Sequence, residues 1–204
     1  MTTVRCAAAM LQRTFEEWRA QGEDLWLFAY GSLIWKTEFE VAEKRPARVH
    51  GHHRCLQMWS RVNRGTPERP GLVLALINGG SCRGMALRVK ADHVPDMLPQ
   101  LWQREMPNPV YDPKWLPCQT PQGPVRALSF TLSRHSPNFT GHLSDTRYRD
   151  IFAHSRGRYG TTLDYARLTC EHLRAIGIRD AELERVVALA TPSPASTPAT
   201  KHPT

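Results

Sequence analysis

A carboxylate set into an apolar helix stripe is the first group in this chain suited to proton transfer. Leu98, Leu101, Trp102 and Glu105 fall at i, i+3, i+4 and i+7, so Glu105 shares a face with core side chains. Losing water around such a carboxylate disfavours its charged form and raises its pKa toward the range useful for acid–base chemistry. On this spacing Arg104 points elsewhere on the helix and is not expected to neutralise it. A solvated Glu at a fraying helix end, just before Met106-Pro107, fits the same spacing.

A second constellation is Leu25-Trp26-Leu27-Phe28-Ala29-Tyr30-Gly31-Ser32-Leu33-Ile34-Trp35. An apolar run of strand length that ends in Tyr-Gly-Ser leaves backbone N–H groups unpaired at a turn, and Gly31 has no Cβ to block close approach. Such a turn suits an anionic or amide-bearing small ligand, although an ordinary Gly-Ser turn reads the same way. The third is the loop from Ser60 to Gly71, where Arg61 and Arg64 with Ser60 and Asn63 could grip a carboxylate by charge-assisted hydrogen bonds. Solvated charges on a polar loop are its plainer interpretation. Cys118, between Pro117 and Gln119, lies far from any helix N-terminus that would make it a nucleophile.

These groups need elements to position them. Leu11, Phe15 and Trp18 give residues 8–21 an amphipathic helix ending at Gly22. A buried strand spans 25–30, and 46–60 is irregular or strand-rich. Residues 71–78 and 82–90 read as a hairpin around Gly79-Gly80. A helix over about 93–106 carries Glu105 and is expected to break or restart at Pro99. A strand at 124–133 precedes helices near 144–156, 161–176 (with Gly177 as its C-cap) and 180–190. Strands first and helices later predict an α+β fold. The divisions expected are a helical extension over 1–24, a catalytic domain over 25–190, and a disordered Pro/Ser/Thr/Ala tail over 191–204.

The 204-residue chain is long enough for a sizeable core and is 41% hydrophobic and 23% charged, which argues against wholesale disorder. No apolar run approaches the roughly 20 residues needed to span a bilayer. Five scattered cysteines without a Cys-x-x-Cys pair read as free thiols in a reducing compartment. That supports a cytoplasmic location, with a short transit peptide around Arg5 and Arg13 as the competing reading. Nine scattered histidines give no metal-ligand spacing. The net charge of +8 comes from dispersed arginines without a nucleic-acid-binding motif. It suits attraction of small anions instead, so neither a specific nucleic acid nor a membrane is an expected partner.

Five motifs follow one another between roughly residues 25 and 185. Phe28-Ala29-Tyr30-Gly31-Ser32-Leu33-Ile34-Trp35 comes first, then Arg64-Gly65-Thr66-Pro67-Glu68 with Pro70-Gly71-Leu72-Val73-Leu74. Cys82-Arg83-Gly84-Met85-Ala86 follows, then Arg104-Glu105-Met106 with Tyr111. Gly157-Arg158-Tyr159-Gly160 runs into Tyr165, with Gly177-Ile178-Arg179-Asp180 after it. In this order they resemble the ChaC-type γ-glutamylcyclotransferases, the glutathione-degrading branch of the γ-glutamylcyclotransferase-like fold. The resemblance implies a small mixed β-barrel flanked by helices, with Glu105 as acid–base catalyst. It also implies that Tyr30, Gly31, Ser32 and Leu33 hold the γ-glutamyl group, with Arg64, Tyr111 and Tyr165 as further substrate contacts. Two positions depart from the family pattern, Ala29 where Gly is common and Thr162 where Asn is common. The second puts substrate contact by the 157–165 loop in doubt.

The implied reaction converts glutathione to 5-oxoproline and cysteinylglycine without a cofactor. The rival readings are a cyclotransferase for other γ-glutamyl amines and a catalytically silent ligand-binding or regulatory protein of the same fold. The oligomeric state, and whether Ser32 acts through its hydroxyl or only permits the turn, stay open at this level.

Overall fold

The computed structural model describes residues 5–191; the expected tail at 191–204 lies, but for Thr191, outside them. Five strands form a closed barrel in the order β1-β3-β2-β4-β5. They are β1 (Leu25–Ala29), β2 (Glu43–Ser60), β3 (Gly71–Val89), β4 (Asp112–Gln119) and β5 (Val125–Thr131). The closing β1–β5 pair is parallel, Trp26 opposite Ala127 and Leu27 opposite Leu128, while the other pairs are antiparallel. Helices α1 (Ala7–Arg19), α2 (Val94–Glu105), α3 (Asp145–His154), α4 (Thr162–Ala175) and α5 (Ala181–Ala188) flank it. The α+β class and the mixed barrel are therefore as expected.

One small hydrophobic cluster takes residues from all five strands and no helix, among them Phe28, Val49, Leu76, Leu116 and Ala127. A larger one joins the strands to the helices through Leu25, Leu27, Leu98, Trp102, Tyr165 and Leu173. Burial on both sides explains why β1 is a continuous apolar run.

Three expectations need correction. Residues 71–89 are not a hairpin but one 19-residue strand, paired along its length with the 18-residue β2. Gly79 (φ 104°) and Gly80 (φ 69°) make a kink opposite Gly51 (φ 76°), where the register slips between His50 and His52. The true hairpin loop is 61–70. Secondly, Pro99 sits inside an unbroken α2; one missing hydrogen bond is outweighed by packing of Met97, Leu98, Leu101 and Trp102, all buried. Thirdly, β4 was not anticipated, because Pro113 and Pro117 mask it. β4 meets β2 only at Arg48–Gln119 and Val49–Cys118, so both prolines fall where no donor to a second neighbour is required.

Helix α1 is bound into this body. Trp102 Nε1 donates to Ala7 O at 2.9 Å and Trp115 Nε1 to Glu17 Oε2 at 2.7 Å. Arg5 pairs with Asp112 at 2.8 Å and donates to Pro109 O and Tyr111 O.

Candidate active site

Where β1 ends, Tyr30 and Gly31 lead into a short 3-10 turn, Ser32–Ile34, closed by Ile34 N donating to Gly31 O at 2.9 Å. The first N–H groups of such a turn have no acceptor within it. Leu33 buries its side chain in the core, so it can offer a ligand only its backbone. A Cβ built on Gly31 would meet Tyr165 Oη at 3.5 Å, so the open side of this glycine faces that hydroxyl.

Three tyrosines from distant parts of the chain converge here. Tyr30 Oη donates to Phe130 O at 2.8 Å, and Tyr111 Oη reaches Leu74 O at 3.5 Å. Tyr165, on the first turns of α4, lies 7% exposed between Gly31 and the guanidinium of Arg64, whose Cζ is 4.9 Å from its ring centroid. Burial holds the Tyr30 and Tyr111 phenols well above their ordinary range and pushes Tyr165 up to about 12. All three stay protonated donors at neutral pH. Trp35, stacked at 4.9 Å on His172, leans on the far side of Tyr165.

Glu105 closes α2 with its side chain 19% exposed. Burial raises its carboxyl above the usual range, Arg104 opposes that, and Glu38 adds to it. After burial, the Glu105 charge adds to the upward push on the Tyr30, Tyr111 and Tyr165 phenols. Arg104 does not point away as expected. Its Nε lies 3.2 Å from Glu105 Oε1, Nη2 donates to Ser32 Oγ at 3.0 Å, and Nη1 reaches Lys36 O. One guanidinium thus ties the carboxylate to the turn after β1, and the Ser32 hydroxyl accepts that contact. A long, flexible side chain folds back further than its helical angle suggests.

This arrangement combines a carboxylate of raised pKa, several fixed donors and a loop of backbone N–H groups. It can move a proton and stabilise an oxyanion on a small ligand. Comparison with known families bears on which ligand. The model of the ChaC-like protein family matches residues 25–191. The chain belongs to the ChaC-like family.

Among its relatives is the Escherichia coli K12 protein named glutathione-specific γ-glutamylcyclotransferase. It is 32% identical over 160 residues, covering 76% of this chain and 68% of the relative. The Rattus norvegicus glutathione-specific γ-glutamylcyclotransferase 1 is 29% identical over 170 residues, covering 80% and 77%. In fold, the chain is similar to a crystal structure of a yeast γ-glutamyl cyclotransferase specific to glutathione. The TM-score is 0.75 at 18% identity, covering 82% of this chain and 96% of that one.

The departures of this ChaC-like chain have structural explanations. Ala29 is fully buried, and its carbonyl lies 2.3 Å from where a Cβ on Gly84 would sit, so it is Gly84 that permits the approach. Thr162 is buried and accepts from Leu72 N at 2.8 Å. The 157–165 segment is docked on the hairpin loop through Arg158 N to Val62 O at 2.8 Å and Tyr159 N to Asn63 O at 2.9 Å. Arg64 belongs to that junction, donating to Tyr159 O.

Arg54 escaped the sequence reading. It is 7% exposed, paired with Asp180 at 2.9 Å, and donates to Tyr30 O at 2.8 Å and Arg83 O at 3.1 Å. A charged residue directly before the mostly apolar Cys55–Trp59 stretch of β2 is the signal that could have found it. Two open cavities lie elsewhere. One of about 320 Å³ is lined by Arg69, Arg147, Asp150 and His154, the other of about 470 Å³ by Asp24, Trp26, Glu43 and Arg88. Arg147 and His154 pair with Asp150 in the first, and Arg88 with Asp24 and Glu43 in the second. Chemistry therefore favours the more enclosed tyrosine–Glu105 cluster. No group of three or more His, Cys, Asp or Glu among the described residues is placed to hold a metal ion.

Proposed function

We propose that this protein cyclises the γ-glutamyl group of glutathione, releasing 5-oxoproline and cysteinylglycine, with Glu105 as the single acid–base catalyst. The observation that carries the reading is the mostly buried Glu105 carboxylate tied through Arg104 to Ser32 of the Tyr30–Leu33 loop in a ChaC-like chain. The names of the E. coli and rat relatives support the choice of substrate.

The chemistry needs little else. A γ-glutamyl amide carries its own nucleophile, the α-amine, and its own electrophile, the γ-carbonyl. Glu105 accepts a proton from the α-ammonium, and the freed nitrogen attacks the γ-carbon to close a five-membered ring. The γ-C–N bond then breaks as Glu105 returns the proton to the departing amine nitrogen, and the extra proton left on the ring nitrogen passes the same way, so that a neutral lactam and an ammonium group are released. Holding the two groups within about 3 Å can supply roughly 7–11 kcal/mol of the barrier. Backbone N–H groups of the Gly31–Leu33 turn meet the substrate's α-carboxylate or the developing oxyanion, and the Tyr111 hydroxyl, held only by a long bond to Leu74 O, is a further donor for the same oxygen. Arg64 and Tyr165 form the wall beside the turn. We assign catalysis to a unit spanning 25–190, buttressed by α1. Five unpaired cysteines support a reducing compartment, the cytoplasm.

The test is 5-oxoproline release from reduced glutathione by the wild type and by Glu105→Gln. Removing an acid–base group of this kind lowers kcat by about 10²–10⁴-fold. Wild-type turnover by Glu105→Gln would refute the assignment. Faster wild-type release from γ-glutamyl-alanine than from glutathione would move the substrate to other γ-glutamyl amines.

A further inference from the structure

The outer edge of the cluster carries charge that the cyclisation itself does not use. Lys36 follows the 3-10 turn, its N–H donating to Ser32 O at 2.8 Å and its carbonyl accepting from Arg104. Its Nζ lies 5.7 Å from the ring centroid of Tyr159, and Arg158 Cζ lies 5.3 Å from the same ring. Tyr159 is 55% exposed, unusual for a large aromatic with no core to fill. The nearby acid is Glu38, whose Oε1 is 3.1 Å from Lys36 Nζ and whose Oε2 is 3.8 Å from Arg104. Two exposed cations thus lie within 6 Å of one ring's centre, one from the turn after β1 and one from the 157–160 segment.

We propose that Lys36 and Arg158, gathered at the Tyr159 ring, form an outer subsite for the C-terminal carboxylate of a γ-glutamyl tripeptide, a proposal that rests on the cyclisation reading above. Arg64 sets the spacing. Its guanidinium covers the Tyr165 ring and bonds the Tyr159 carbonyl, so the rim stands one side-chain layer outside the tyrosines. The two residues that follow a γ-carbonyl span about 7 Å when extended, enough to bring a terminal carboxylate from that inner layer to the rim. Two cations close to one carboxylate give charge-assisted bonds, and the exposed Tyr159 face gives the peptide backbone an apolar surface. On this view the 157–160 segment meets substrate through Arg158 and Tyr159, while Thr162 serves the packing.

The experiment compares glutathione with its glycyl monoethyl ester, which lacks only the terminal charge. Wild type and Lys36→Met/Arg158→Met are assayed for 5-oxoproline release. The same rims in a Glu105→Gln background are assayed for binding by calorimetry. With the native rim, esterification lowers kcat/KM and affinity about fivefold to tenfold. With the double variant, the acid falls to the level of the ester and esterification has no further effect. An equal ester penalty with both rims overturns the proposal, as does absence of binding by either ligand. If wild type releases no 5-oxoproline but the rim-dependent difference in affinity remains, the subsite stands and the cyclisation reading fails.

Discussion

Replacing Arg104 by Gln isolates what the guanidinium does to the catalytic carboxylate. Nε stands 3.2 Å from Glu105 Oε1, and the two side chains are 20% and 19% exposed, so solvent screens the pair only in part. Coulomb attraction across 3.2 Å is about 1.3 kcal/mol at the dielectric constant of water and grows as solvent is excluded. The residual exposure keeps this pair near that value, about 1.4 kcal/mol, a factor of about ten in an equilibrium constant. Glu105 must be ionised to take a proton from the substrate, so kcat/KM falls as pH drops through its titration. Arg104 favours the ionised form, and burial opposes it. Removing the cation therefore moves the acid limb of the profile to higher pH. At a pH on that limb the variant is about tenfold slower, and well above it the difference from this cause vanishes. Arg104→Lys keeps the charge and leaves the limb in place. It raises KM, because an ammonium cannot reach Glu105, Ser32 and Lys36 together as the fork does. The assay is kcat/KM for glutathione across the acid range for the three proteins. A Gln profile that superimposes on the wild type, or whose limb moves down, would refute the reasoning.

Arg54→Met strands the Asp180 carboxylate and frees the Tyr30 and Arg83 carbonyls. Breaking a buried pair costs about 3–5 kcal/mol, so calorimetry should find Tm lower by about 6–12 °C at the low end of that range; an unchanged Tm contradicts it. Gly31→Ala places its methyl 3.5 Å from Tyr165 Oη, an ordinary contact, so Tm stays within about 2 °C while KM for glutathione rises as the methyl narrows the space between the turn and Tyr165. A lower Tm with unchanged KM would show that the glycine serves folding alone.

What could be read from the sequence was what depends on neighbours in the chain. The stripe that carries Glu105, the apolar run of β1 and the glycine that closes α4 are local patterns, and Gly177 stands just past that helix at φ 72°. Gly79-Gly80 misled because a turn and a kink need the same positive φ, and only the distant partner Gly51 separates them. Pro113 and Pro117 hid β4 for a related reason, since a strand tolerates proline according to which neighbours it has. Within the site, Glu105 and the Tyr30–Leu33 turn were visible as chemistry. Tyr111 and Tyr165 carry no local mark, and entered through motif order alone. The direction taken by Arg104 was illegible, because it depends on a serine brought near by the barrel.

The parallel seam between β1 and β5 has a consequence for how the protein is made on the ribosome. Tyr30 donates to Phe130 across 100 residues of chain, so β1 emerges long before the strand that will cover its free edge. Until β5 appears, β1 pairs only with β3, and the growing chain exposes a hydrogen-bonding edge of the kind that invites mispairing. Tyr165 comes later still. The nascent chain therefore holds Glu105 without its full set of phenols, and the site is assembled only as α4 docks against the finished barrel.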